Sequence, residues 1–210
     1  MTGIHRRRLL RAATVLAAWP LRLAGPGRVA LAAGSAAAVA GRAAAAGLDA
    51  PAKAPPELVA ELPGARWRGA GVMRFFGLHI YDVRLWSAAP LAGGGVSQPL
   101  ALALELVYAR KLVGEMIASR SLDEMRRIGP FSEAQGAAWL TAMTQLFPDV
   151  LAGDRLTGVQ RPGQSARFYF NGQRRGEVQD VDFSRLFFGI WLSPRTSEPK
   201  LRAQLLGEAR

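Results

Sequence analysis

The stretch Arg68 to Trp86, RGAGVMRFFGLHIYDVRLW, constrains the fold more than any other part of the chain. It reads as two strands, 65–76 and 78–87, joined at Phe76-Gly77. In the second strand His79, Tyr81, Val83 and Leu85 have one parity, and Ile80, Asp82, Arg84 and Trp86 the other. The first set is the more apolar and is expected to face the core. In the first strand Gly69 and Gly71 remove side chains from one face. That admits a bulge, or the close approach of another backbone or a ligand.

The rest of the body reads as a sheet continuing from this hairpin. Residues 88–99 form a loop, and Leu100 to Tyr108 alternate cleanly. Leu100, Leu102, Leu104, Leu106 and Tyr108 point one way. Ala101, Ala103, Glu105 and Val107 point the other, onto a face expected to be solvated or thinly covered. Residues 111–128 switch to helical spacing and stop at Gly129-Pro130. Ser132 with Gln135 makes a capping box for a second helix, with an apolar stripe from Trp139 to Phe147. Strands follow at 155–160 and 166–170, and Asn171-Gly172 predicts a tight hairpin. Asp182 is expected to cap a helix over 183–192, and a last short helix runs from Pro199 to Leu206. Strands, two helices, strands and two short helices define an α+β domain with a mostly antiparallel sheet. No glycine-rich phosphate loop and no strand–helix alternation point to a dinucleotide fold.

Charge looks informative until it is located. The net charge is +11, but residues 1–46 hold seven arginines and no acid, leaving 20 basic and 16 acidic residues, +4, for the remainder. The basicity belongs to the leader, so no nucleic-acid partner is expected. His5-Arg6-Arg7-Arg8-Leu9-Leu10-Arg11 followed by alanine-rich sequence resembles a twin-arginine export signal over residues 1–46, which places the mature protein in the periplasm. No uninterrupted apolar run is long enough to span a membrane. Residues 47–62, with Pro51, Pro55 and Pro56, read as a linker to a domain over 63–207. The chain has no cysteine, which excludes disulfides and thiolate zinc sites, and after removal of the leader only His79 remains of its histidines. Neither a metal site nor a cofactor is expected. His79, Asp149 and Asp154 read as a packed or edge histidine and two turn formers rather than as catalytic groups.

Several motifs recur in order: Gly69-Ala70-Gly71, Ile80 to Trp86, Leu104 to Arg110, Phe147-Pro148-Asp149 with Gly153-Asp154, Tyr169 to Gly172, Phe188 to Leu192, and Leu201 to Gly207. Together they resemble the bacterial branch of the chalcone isomerase-like family over most of residues 66–207. The resemblance implies an open-faced β-sandwich, a large antiparallel sheet with helices packed on one face. It also implies a cleft between them for a flavonoid precursor or, in non-catalytic relatives, a fatty acid.

Family members use a strand arginine just after the Gly-x-Gly and a hydroxyl residue on the next strand. The hydroxyl role falls to Tyr81. The arginine position falls on Met73, with Arg74 one residue later and so on the opposite face of a regular strand; a bulge at Gly69–Gly71 would restore its facing. The favoured reading is an exported binding protein, without catalysis, for a small apolar or amphipathic fatty acid or phenol. Arg68 or Arg74, with Tyr81 and Tyr108, would hold the polar end. Two alternatives stay open: an intramolecular lyase or isomerase of the chalcone isomerase type, and a structural or partner-binding envelope protein. The second rests on the thinly covered face of Ala101, Ala103 and Val107.

Overall fold

A computed structural model describes residues 53–91 and 100–208. The expected export signal over 1–46, the first part of the expected linker and most of the 88–99 loop lie outside the described residues.

Six strands form one antiparallel sheet in chain order: β1 (Arg66–Phe75), β2 (Leu78–Ser87), β3 (Leu102–Tyr108), β4 (Arg155–Arg161), β5 (Ser165–Phe170) and β6 (Gln173–Val178). Helices α2 (Gly114–Ile128) and α3 (Glu133–Leu146) connect β3 to β4, and α4 (Val181–Leu192) and α5 (Pro199–Leu205) follow β6. The register fixes two faces. Val83, Leu106 and Leu156 are aligned across β2 to β4, as are Leu85, Leu104, Gly158 and Phe168 across β2 to β5. All but Gly158 belong to the main core, which they share with Met125, Met143, Phe183, Leu186 and Leu205 of the four helices.

The helices end where the side chains dictate. Ser132 and Gln135 close the expected capping box on α3. Asp180, not Asp182, caps α4: its carboxylate accepts from the Phe183 N–H and also from the Trp139 indole, both at 2.9 Å. Asp182 sits inside the first turn and pairs with Arg185. Asn171 and Gly172 both take positive φ, as the hairpin requires. Gly69 faces α5 so closely that an added Cβ would strike the backbone carbonyls of Gln204 and Leu205. Gly69 therefore admits another stretch of backbone, one of the two uses expected of the pair, while Gly71 makes room for the Leu201 and Gln204 side chains.

The second face differs from expectation. Residues Pro56–Glu61, read as the end of a linker, form a short helix, α1, on that face. Leu58 and Leu62 pack there with Trp86, Ala103, Val159 and Tyr169. Ala103 is fully buried and Glu105 is 3% exposed, so the face is covered around them. Glu57 is buried and accepts from Thr157 at 2.8 Å and Arg155 at 3.0 Å. Glu61 accepts from Tyr169 at 2.5 Å and Arg167 at 2.9 Å. Two carboxylates four residues apart and two leucines four residues apart thus clasp one sheet face, the spacing of adjacent turns.

Candidate functional site: a tyrosine pair under helix α4

Tyr81 of β2 and Tyr108 of β3 are register partners at one end of the sheet. Both point to the helix side, and their rings meet edge to face with centroids 5.8 Å apart. Helix α4 brings Trp191 over them; its indole N–H donates to the Tyr81 hydroxyl at 3.1 Å. Phe187, one turn earlier on α4, packs against the Trp191 ring at 5.5 Å. Met73 is the register partner of Tyr81 on β1 and packs against the same core, as does Ile117 of α2.

The two phenols are held neutral. Burial raises the Tyr81 hydroxyl far above the ordinary phenol range. The Trp191 N–H acts against that shift, the Glu198 and Glu124 carboxylates reinforce it, and Arg120 opposes it weakly. Burial, with the neighbouring Tyr81, raises Tyr108 in the same way. Neither group can act as a base near neutral pH; each is a hydrogen-bond donor and acceptor. Tyr108 is only 2% exposed, yet its hydroxyl makes no hydrogen bond to the described residues. Its oxygen is not among the buried polar atoms left without a partner, so the small exposure that Tyr108 keeps includes the hydroxyl, within reach of water or a ligand.

The two arginines expected beside Tyr81 are not there. β1 does carry a bulge, but at Arg68: pairing passes from Trp67↔Trp86 to Gly69↔Leu85. From Gly69 to Met73 the alternation is regular, so Met73 faces the helices and Arg74 the other side. Arg74 is exposed. Arg68 donates to the carbonyls of Ser87 and Ala88 at the far end of β2, at 2.9 and 3.2 Å. Five residues of strand, roughly 16 Å, separate it from the level of Tyr81.

A second bulge corrects the reading of His79. Pairing passes from Met73↔Tyr81 to Arg74↔His79, leaving Ile80 as the extra residue of β2. Ile80 joins the helix-side core, and His79 turns to the opposite face, where it meets Asp82 at 2.8 Å. His79 therefore does not share a face with Tyr81, Val83 and Leu85. Trp191 is the site residue that sequence reading passed over, because its place in an apolar helical stripe marks it only as core.

Other polar clusters are structural. On the second face Arg84 and Trp86 both reach Glu105, at 3.3 and 3.0 Å. Asp149 accepts from the Gly114 N–H at the start of α2, and Asp154 from the Leu151 N–H. Among the described residues no group of three acids and histidines is placed to hold a metal ion.

A sheet covered on one face by long helices, with a tyrosine pair between them, defines a chalcone isomerase-like fold. The match to the chalcone isomerase-like family model runs over residues 66–207, and the chain belongs to that family. An uncharacterized protein of Haemophilus influenzae is 27% identical over 150 residues, which cover 70% of this chain and 72% of the relative. The crystal structure of a fatty-acid binding protein of Arabidopsis thaliana superposes with a TM-score of 0.56 at 14% identity, covering 70% of this chain and 89% of that one. At that identity the likeness is one of fold.

Proposed function

We propose that the protein binds a small apolar molecule between the sheet and α4, without catalysis, and that one polar group of the ligand meets the Tyr81–Tyr108 pair. The observation that carries this reading is the Tyr108 hydroxyl, nearly buried and without a partner among the described residues. Family membership and the fatty-acid binding neighbour support an apolar ligand.

The surroundings of the pair bear on the ligand's polar end. Met73 stands opposite Tyr81, Arg74 faces away, and the Glu198 and Glu124 carboxylates disfavour negative charge at the Tyr81 oxygen more than Arg120, paired with Glu124, favours it. An anionic head group would gain little there, whereas a neutral phenol, alcohol or carbonyl needs only the two hydroxyls. Thermal-shift titration with a long-chain alcohol, a neutral phenol and a fatty acid of matched length tests this. A larger rise in melting temperature for the neutral ligands, reduced in Tyr108→Phe, supports the reading; no shift with any of the three overturns it.

The leader adds a second part to the proposal: residues 1–46 direct export, and the domain works in the periplasm. Support comes from the Arg6-Arg7 pair with Leu9-Leu10 and from the absence of acid before Asp49. Cell fractionation with and without a working twin-arginine system tests it. Full-length protein retained in the cytoplasm of both strains contradicts it.

A further inference from the structure

Glu124 of α2 is a buried carboxylate, 5% exposed, whose two oxygens are treated unequally. Its Oε1 meets the Arg120 guanidinium at 2.6 Å, one turn back along the helix. Its Oε2 lies 3.4 Å from the Arg127 Nε, yet it is shut off from solvent and makes no hydrogen bond among the described residues. The two guanidiniums, both more than half exposed, balance the charge of the carboxylate. They do not satisfy its second oxygen, and a buried acceptor without a donor is costly. An oxygen kept in that state suits a donor that arrives from outside the fold.

The same carboxylate stands beside the tyrosine pair. Ile117, Ser121, Glu124 and Ile128 share one face of α2. Toward one end of this face, Ile117 packs against the same core as Met73 and Tyr81. At the other, Ile128 sits so close to Gly189 of α4 that an added Cβ there would strike it, and Gly189 comes two residues before Trp191. Glu124 lies between the two, near enough for its charge to act on the Tyr81 oxygen. Glu198 acts on that oxygen too, but it is only half-buried and keeps contact with water.

The hydrogen-bonding groups then define the polar end of a ligand. Tyr81 accepts from Trp191, and its own proton has no acceptor among the described residues; the Tyr108 hydroxyl has no partner there either. The pair thus offers two donors, and Glu124 Oε2 offers one acceptor. A hydroxyl group is their complement, since its oxygen accepts twice and its proton is donated once. A carbonyl or an ether only accepts and leaves Oε2 unserved, and a carboxylate sets a second negative charge beside it. An ammonium would meet a charge that Arg120 and Arg127 already balance.

We propose that Glu124 is the acceptor that selects a hydroxyl group, of an aliphatic alcohol or a phenol, as the polar end of the ligand. The proposal rests on the reading that the Tyr81–Tyr108 pair meets a ligand, and it narrows that reading from neutral polar groups in general to those that bring a proton to donate.

Calorimetric titration of the full chain with decanol, a methyl ether and a methyl ketone of matched length tests this. Decanol should bind wild type roughly tenfold more tightly than either of the others. In Glu124→Gln, whose amide N–H can donate where only an acceptor stood, the three should come to within about threefold of one another. Glu124→Asp keeps the charge but draws the oxygen back by one methylene; it should lose the preference in the same way, and it serves where Glu124→Gln does not fold. Glu198→Gln should keep the wild-type ranking. A ketone or ether that binds wild type as tightly as decanol overturns the proposal and leaves binding at the tyrosine pair standing. So does a folded Glu124 variant with the wild-type ranking, or a Glu198→Gln chain that has lost it. Failure of all three ligands to bind wild type overturns the reading of the pair along with the proposal.

Discussion

Tyr81 and Tyr108 face each other across β2 and β3 with rings 5.8 Å apart, but among the described residues only Tyr81 has a hydrogen-bond partner for its hydroxyl, the Trp191 indole. The two hydroxyls should therefore answer deletion unequally. Tyr81→Phe strands a buried indole N–H and should cost about 1–3 kcal/mol. Tyr108→Phe removes a hydroxyl that has no partner among the described residues and should change stability by less than about 1 kcal/mol. Urea denaturation of the two variants checks this. Ligand affinity should move differently, falling roughly 3- to 10-fold in Tyr108→Phe through loss of one hydrogen bond.

Gly69 lies under the last turn of α5 with the carbonyls of Gln204 and Leu205 where a methyl would go. Gly69→Ala must push α5 away from β1 or distort the strand. A loss of about 2–3 kcal/mol is expected by denaturant unfolding, larger than for alanine at a solvent-facing strand position.

Acid should release α1. Burial alone would raise the Glu61 carboxyl, but the Tyr169 hydroxyl and the Arg167 guanidinium outweigh it and hold Glu61 below its ordinary 4.5. A depressed carboxyl contributes stability that is complete above 4.5 and is lost as pH falls through the lower folded value. Burial likewise acts against Glu177, where the Arg167 and Arg174 guanidiniums, at 2.7 and 3.0 Å, prevail, so its contribution is lost in the same direction. Hydrogen exchange of residues 56–62 should accelerate below that pH before the β-sheet opens. Glu61→Gln should remove most of the dependence. Equal protection of α1 at neutral and acid pH would contradict the clasp.

The cap on α4 distinguishes two neighbouring aspartates. Asp180→Ala frees the Phe183 N–H and the Trp139 indole together and should cost about 2 kcal/mol or more. Asp182→Ala loses only an exposed pair with Arg185, and its effect on the melting temperature should be close to nothing.

Much of this fold was legible because its signals are local. Alternation in Leu102–Tyr108, the Ser132–Gln135 box and Asn171-Gly172 each specify geometry within a few residues, and the strands and caps follow them. What escaped depends on partners far along the chain. The bulge at Ile80 turns His79 over, and nothing in the alternation of β2 announces it, since the extra residue is chosen by the pairing with β1. Helix α1 has six residues after two prolines and reads as a linker until Leu58 and Glu57 meet β4, about a hundred residues later in the chain. Asp180 and Asp182 are both good caps by type, and tertiary contact with Trp139 favours the first. At the site, the tyrosines were visible from their parity on apolar strands. Trp191 was not, because an indole in a helical stripe says nothing of where its N–H points.

The Phe76 turn shows the converse. Both hairpins were visible in sequence, but only comparison of their turn dihedrals singles out the strained, exposed phenylalanine.

Binding at the tyrosine pair is tested most directly by native mass spectrometry of the protein extracted mildly from its own cells, with organic extraction of whatever is released. A bound apolar molecule carrying a single neutral polar group, present in wild type and depleted in Tyr108→Phe, is the expected result. Protein that is always empty, or one that retains the same molecule equally well without the Tyr108 hydroxyl, would contradict binding at this site.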